Sequence, residues 1–185
     1  FSRQKLKSDL VFGFIGRLHP SKGLSQLLDA LNQLDSGNFS ILIAGDGDGK
    51  YVETLQLTVN DKKHITFSGW TSPDEFFPNI DVLIVPSLWH DPLPRVVYES
   101  YNYGKPVIGS NRGGIPESIV EGETGWIYDP DNPEQLLSII NTILTNPEQL
   151  RSMNDRCIRK ANDFSLENCV TQYIDAYKGA IDAEQ

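Results

Sequence analysis

Asp81-Val82-Leu83-Ile84-Val85-Pro86 carries an unbroken apolar run between its Asp and its Pro. A strand with one face in water alternates polar and apolar residues. A continuously apolar strand is buried on both faces, as in a parallel sheet covered by helices. The rest of the chain agrees, because residues 10–18, 39–44, 65–70, 106–109 and 125–128 read as further short apolar strands. Helical patterns lie between them. Leu24, Leu27, Leu28 and Leu31 recur at helical spacing within 22–34. Residues 51–59 read as a second helix, and Ser72-Pro73-Asp74-Glu75 reads as a capping box opening a short third. Residues 95–103 form another, stopped by Gly104.

After the sixth strand only helices follow. Asn-Pro-Glu-Gln-Leu occurs at 132–136 and again at 146–150, and each copy reads as a helix start with Asn as N-cap. The last helix carries Val170, Tyr173, Ile174, Tyr177 and Ile181 on one stripe, facing either its own domain or an absent partner. The expected fold is α/β: a Rossmann-like, doubly wound, parallel six-stranded sheet over 8–130, with C-terminal helices over 131–185, in a single domain of residues 1–185.

Charge narrows the function. The 185 residues hold 16 Lys plus Arg against 25 Asp plus Glu, a net charge of −9. Nucleic acid is therefore not an expected partner, since phosphate backbones need a basic face. No apolar run approaches the ~18 residues of a membrane span, so no transmembrane segment is expected. The two cysteines, Cys157 and Cys169, are too few for a disulfide scaffold and read as free thiols of a reducing compartment. The expected localisation is cytoplasmic. The first residue is Phe1, and the chain reads as a piece cut from something longer.

In an open doubly wound sheet, ligands bind beyond the carboxyl ends of the strands, where the strand order reverses. For the order 3-2-1-4-5-6 that point lies between strands 1 and 4. The loops concerned are Gly16-Arg17-Leu18-His19-Pro20-Ser21-Lys22-Gly23 and Ser87-Leu88-Trp89-His90-Asp91-Pro92-Leu93-Pro94-Arg95. Arg17 and Lys22, each beside a glycine, with a helix expected to begin at about Lys22, make a diphosphate site or a pair of solvated cations. Asp91 is followed eight positions later by Glu99, a second candidate acid or a surface residue. No cluster of His, Cys and Asp has metal-ligand spacing. A nicotinamide-dependent dehydrogenase needs G-x-G-x-x-G after strand 1, where the chain reads Gly13-Phe14-Ile15-Gly16-Arg17. That class is set aside.

Gly16-Arg17 with Lys22-Gly23, Ala44-Gly45-Asp46-Gly47, Phe67-Ser68-Gly69, Asp81 through Ser87, Asp91 with Glu99, Gly104-Lys105-Pro106 and Gly113-Gly114-Ile115-Pro116-Glu117 stand in family order. Over roughly 11–130 this series resembles the C-terminal, nucleotide-sugar-binding domain of GT-B glycosyltransferases, specifically the retaining group 1 class, family four. The all-helical ending is similar too.

The resemblance implies roles. Arg17 and Lys22 match the pair that holds the donor diphosphate and stabilises the leaving group. Asp91 matches the acid facing the donor sugar, completing a catalytic set with Arg17 and Lys22, and Glu99 matches the acid that binds the ribose. Gly16, Asp46, Trp70, Gly113 and Gly114 match positions around the donor, and Leu93, Arg95 and Val96 a turn whose amides approach its phosphates. Arg95 adds a charge there or is simply solvated. His19, His64 and His90 match no catalytic position.

Two departures from the family pattern stand out. Asp91 replaces the usual Glu, with about 1.5 Å less reach. Pro92 and Pro94 replace common glycines and donate no amide hydrogen bond.

The implied activity of the intact protein is retaining, metal-independent transfer of a sugar from a nucleoside diphosphate sugar to an acceptor. The expected partners are that donor and an N-terminal acceptor domain absent from this chain, which would also carry any membrane contact. No cofactor is implied, and the isolated domain is expected to lack turnover. The alternative is a non-catalytic domain that binds a nucleotide sugar or a protein.

Overall fold

The computed structural model describes residues 10–34, 39–59, 64–92 and 94–182. Among the described residues the strands are β1 (Leu10–Ile15), β2 (Phe39–Ala44), β3 (Ile65–Gly69), β4 (Val82–Val85), β5 (Val107–Ser110) and β6 (Gly125–Tyr128). They form one parallel sheet in the order β3-β2-β1-β4-β5-β6. The helices are α1 (Leu24–Leu31), α2 (Gly49–Thr58), α3 (Pro73–Phe76), α4 (Arg95–Asn102), α5 (Ile115–Ser118), α6 (Pro133–Thr145), α7 (Gln149–Ala161) and α8 (Leu166–Asp182). The expected α/β class, doubly wound sheet and strand order are all observed.

The chain moves outward from β1 to β3, then crosses back to β4 on the other side of β1. This is the reversal that makes a switch point. β1 pairs with β2 along its whole length, from Leu10 opposite Phe39 to Ile15 opposite Ala44. It pairs with β4 only at Phe12–Val82 and Gly13–Leu83. The pairing thus ends two residues before the end of β1, and the strands are free to part at their carboxyl ends.

Alternate residues of each strand serve opposite faces. Phe12, Phe14, Val82 and Ile84 join Leu24, Leu27 and Leu28 of α1, Leu55 of α2, and Leu136, Ile140 and Ile143 of α6 in one core layer. Leu83, Val85 and Val107 join Phe76, Phe77, Ile80, Val97 of α4, Ile115 of α5 and Cys157 of α7 in the other. Burying each such side chain contributes about 1.5–3 kcal/mol, so both faces of the central strands stabilise the sheet. That is the pattern Val82 to Val85 demanded.

Several expected boundaries shift. The first strand ends at Ile15, so Gly16, Arg17 and Leu18 belong to the following loop. Pro20–Lys22 is a separate 3₁₀ turn, and α1 opens only at Leu24. At Ser72 the side chain makes no capping bond; the N–H groups of Glu75 and Phe76 donate to the Ser72 carbonyl instead. Asn132 stands at the N-cap of α6 without a side-chain bond. The second Asn-Pro-Glu-Gln-Leu copy begins as a turn, and α7 starts at Gln149 with Glu148 before it. The α8 stripe does not pack on this domain among the described residues: Val170, Tyr173, Ile174, Tyr177 and Ile181 are 46–70% exposed.

Cys157 and Cys169 are free thiols. Cys157 is buried beside a polar network under α4. The Tyr101 hydroxyl donates to the Ser118 carbonyl at 3.0 Å and lies 3.2 Å from Thr124 Oγ1, while the Cys157 thiol faces the Thr124 carbonyl at 3.7 Å. Burial pushes the thiol up to about 12 and raises the Tyr101 phenol.

Candidate functional site

The loops at the carboxyl edge are tied to one another by backbone hydrogen bonds. Gly45 N–H donates to Gly69 O, Gly16 N–H to Ala44 O, and Leu18 N–H to Asp46 O. Leu88 and Trp89 N–H both donate to Ser21 O, and Gly114 N–H donates to Asp91 O at 2.8 Å. Buried serines extend the chain of bonds: Ser110 Oγ donates to Ser87 O at 2.6 Å, and Ser87 Oγ donates to Ser21 O at 3.4 Å. The loops after β1, β4 and β5 are therefore one connected scaffold.

Two expected site residues meet on it. Lys22 Nζ donates to Asp91 Oδ2 at 3.0 Å, across 69 residues of sequence and across the boundary between β1 and β4. Their side chains are 32% and 23% exposed, so the pair is reachable by a ligand without being fully solvated. Lys22 closes the 3₁₀ turn rather than opening α1, which corrects the expected helix start. His19 shapes that turn, its Nδ1 accepting from Ser21 N–H.

The Asp91 backbone is fixed from both sides. Its N–H donates to Trp89 O, and its carbonyl accepts from Gly114. The Gly113-Gly114 pair lies directly against this turn. A Cβ on Gly113 would lie 2.2 Å from Asp91 O, and one on Gly114 would lie 1.9 Å from Pro92 O. Gly113 N–H donates to His90 Nδ1 at 3.3 Å. The two glycines thus seat the loop after β5 against the turn that carries Asp91.

Glu99 forms a second pair, accepting from Arg95 Nη2 at 3.0 Å one helical turn earlier. α4 opens only at Arg95, so Glu99 sits four positions into the helix. Pro94 precedes α4 and provides no side-chain cap. The first N–H groups of a helix have no partner within it, and those of Arg95 and Val96 stand at the carboxyl edge. Arg95 is exposed; Leu93 lies outside the described residues.

Other expected residues lie apart. Arg17 is exposed and makes no ion pair among the described residues. Gly16 and Asp46 join β1 to β2 through their backbones, and the Asp46 side chain accepts from Gly47 N–H. Trp70 is 78% exposed after β3, two strands from β1, a separation of about 10 Å at the usual strand spacing.

Sequence reasoning gave no role to Ser21, Ser87 or Ser110, since a serine gives no sign in the sequence of what it will bond. It also missed Arg112, which pairs with Asp129 and Asp131 and ties the loop after β5 to that after β6. Among the described residues no three His, Cys, Asp or Glu side chains converge to hold a metal ion, and no helix is long and apolar enough to cross a membrane.

The chain is 31% identical to spore coat protein SA of Bacillus subtilis over 96% of its own length and 52% of that protein's, so it spans about half of that relative. Its fold superposes on HepE of Anabaena, solved with UDP-glucose, with a TM-score of 0.81 and 24% identity, covering 92% of this chain and 49% of HepE. It also superposes on the C-terminal domain of a group 1 glycosyl transferase from Francisella tularensis, with a TM-score of 0.71 and 18% identity, covering 83% of this chain and 84% of that domain. Residues 1–163 match the profile of the glycosyl transferases group 1, and the chain belongs to that family.

Proposed function

We propose that this chain is the donor-binding half of a GT-B glycosyltransferase. It would hold a nucleoside diphosphate sugar at the β1–β4 switch point, while a second domain supplies the acceptor. The observation that carries this reading is the Lys22–Asp91 pair at the switch point, with Glu99 on the next helix. Family membership and the fold shared with HepE, which was solved with UDP-glucose, support it.

In this reading Lys22 and Arg17 hold the diphosphate. As the glycosidic bond breaks, the leaving diphosphate gains negative charge. Preorganised cations and the free N–H groups at the start of α4 stabilise it without a proton transfer. Asp91 faces the sugar, Glu99 the ribose hydroxyls, and Trp70 lies on the side of the base. The charge compensation comes from side chains, so we infer transfer without a metal or other cofactor. Retention of anomeric configuration belongs to the same proposal, as does absence of turnover in this chain alone.

Calorimetric titration with UDP, GDP, ADP and their sugar conjugates, with and without chelator, tests the site. The expected result is chelator-insensitive binding of one nucleotide, weakened at least tenfold in Arg17→Ala. Absence of binding to every nucleotide refutes the donor site. For the longer protein, NMR of the product's anomeric proton tests retention.

A further inference from the structure

We propose that Asp91 discriminates a nucleotide sugar from the nucleoside diphosphate left after transfer, by exchanging its partner between Lys22 and the sugar. This inference rests on the donor-site reading above. Lys22 Nζ lies 3.0 Å from Asp91 Oδ2, so the ammonium assigned to the diphosphate is already held by a carboxylate. The two partners are unequal. Asp91 has a short side chain on a backbone fixed by Trp89 and Gly114, against two glycines whose Cβ positions are filled by its own turn. Lys22 has a flexible four-carbon stem and rotatable donors. When an anion arrives, Lys22 is the partner that moves.

The consequence differs for substrate and product. A nucleoside diphosphate that draws Lys22 away leaves the Asp91 carboxylate without its cation and near new negative charge. Both effects oppose binding. A nucleotide sugar brings hydroxyl groups to the same place, and a hydroxyl donates to the carboxylate that Lys22 has left. Asp91 therefore disfavours the free diphosphate and tolerates the sugar conjugate. The Lys22–Asp91 bond re-forms as the product leaves.

The test is a double-mutant cycle on this chain with UDP and UDP-glucose as probes, and with GDP and ADP pairs if uridine is not the base. Asp91→Asn keeps the shape and removes the charge. It is expected to tighten UDP binding about three- to tenfold, the effect of freeing a partly exposed cation from its partner. UDP-glucose binding is expected to stay the same or weaken. In a Lys22→Ala background the gain for UDP should shrink to the part that charge repulsion alone supplies, because there is no pair left to break. Far-UV circular dichroism checks that each variant folds, and Asp91→Ala repeats the test with the side chain removed.

Equal changes for UDP and UDP-glucose overturn the inference and leave the donor site standing. So does a gain for UDP that is undiminished without Lys22, which would mark simple repulsion rather than partner exchange. If the unaltered chain binds none of the nucleotides, the donor-site reading falls and takes this inference with it.

Discussion

A Cβ on Gly23 would lie 1.8 Å from the carbonyl oxygen of Pro86, and Gly23 itself has a φ of +72°. The loop after β1 is thus pressed onto the chain leaving β4, with Lys22 the residue before the contact. Gly23→Ala is expected to destabilise the fold by at least about 2 kcal/mol, from left-handed strain plus a backbone clash. The displacement should also move Lys22 and lower nucleotide affinity. Urea unfolding measures the first effect, and titration of the still-folded variant the second. Wild-type stability would show that the two loops can separate freely.

Glu99 supports a second prediction. Its pair with Arg95 is exposed on the Arg95 side, so Arg95→Ala should change unfolding free energy by no more than about 1 kcal/mol. Glu99→Ala should be similarly mild for stability but weaken binding of the cognate nucleoside diphosphate by at least about tenfold, the loss of a hydrogen bond to a charged acceptor. A Glu99 variant that binds normally would reduce the Arg95–Glu99 pair to an ordinary surface contact.

Fold and site were unequally legible in the sequence. Val82 to Val85 announced a strand buried on both faces, and Leu24, Leu27, Leu28 and Leu31 a helix lying over it, because burial imposes a period that one chain can display. The order 3-2-1-4-5-6 is the common one for a doubly wound sheet and is the one observed, but alternation of elements alone does not single it out. The meeting of Lys22 with Asp91 was not legible, since it depends on the reversal of strand order bringing two loops together across 69 residues. The capping box at Ser72 failed for a related reason. A pattern of residue types says which bonds are possible, and local geometry chose the Ser72 carbonyl over its hydroxyl. Gly113 and Gly114 were legible as glycines near the site, but the Asp91 turn that leaves them no room for a side chain was not.

Cys157 offers a chemical contrast with Cys169. Burial pushes the Cys157 thiol up to about 12, whereas Cys169 is only partly buried, near the start of α8. Only the thiolate reacts, so at pH 8 the thiolate fraction of Cys157 falls on the order of a thousandfold below that of an ordinary thiol. Iodoacetamide treatment followed by peptide mass mapping should label Cys169 and spare Cys157 until the chain is unfolded. Comparable labelling of both in the folded chain would show that α7 opens readily.

The same burial sets a dependence on pH. The ordinary thiol value is 9.0, and Cys157 in the fold holds its proton up to about 12, because burial disfavours the charged form. Tyr101 and Tyr128 are shifted in the same direction by the same cause. Each group keeps its proton more tightly folded than unfolded, so its contribution is complete below its unfolded value. It is lost as pH rises past 9 for Cys157 and past 10.0 for the two tyrosines. Between pH 8 and 10.5, Cys157 alone should remove about 2 kcal/mol of stability. Urea unfolding at the two pH values should therefore show a marked loss for the unaltered chain. Cys157→Ala, whatever its absolute stability, should lose about 2 kcal/mol less over the same interval. Equal losses in the two proteins would mean that the alkaline transition runs through the tyrosines and that the Cys157 thiol ionises without unfolding the helix layer around it.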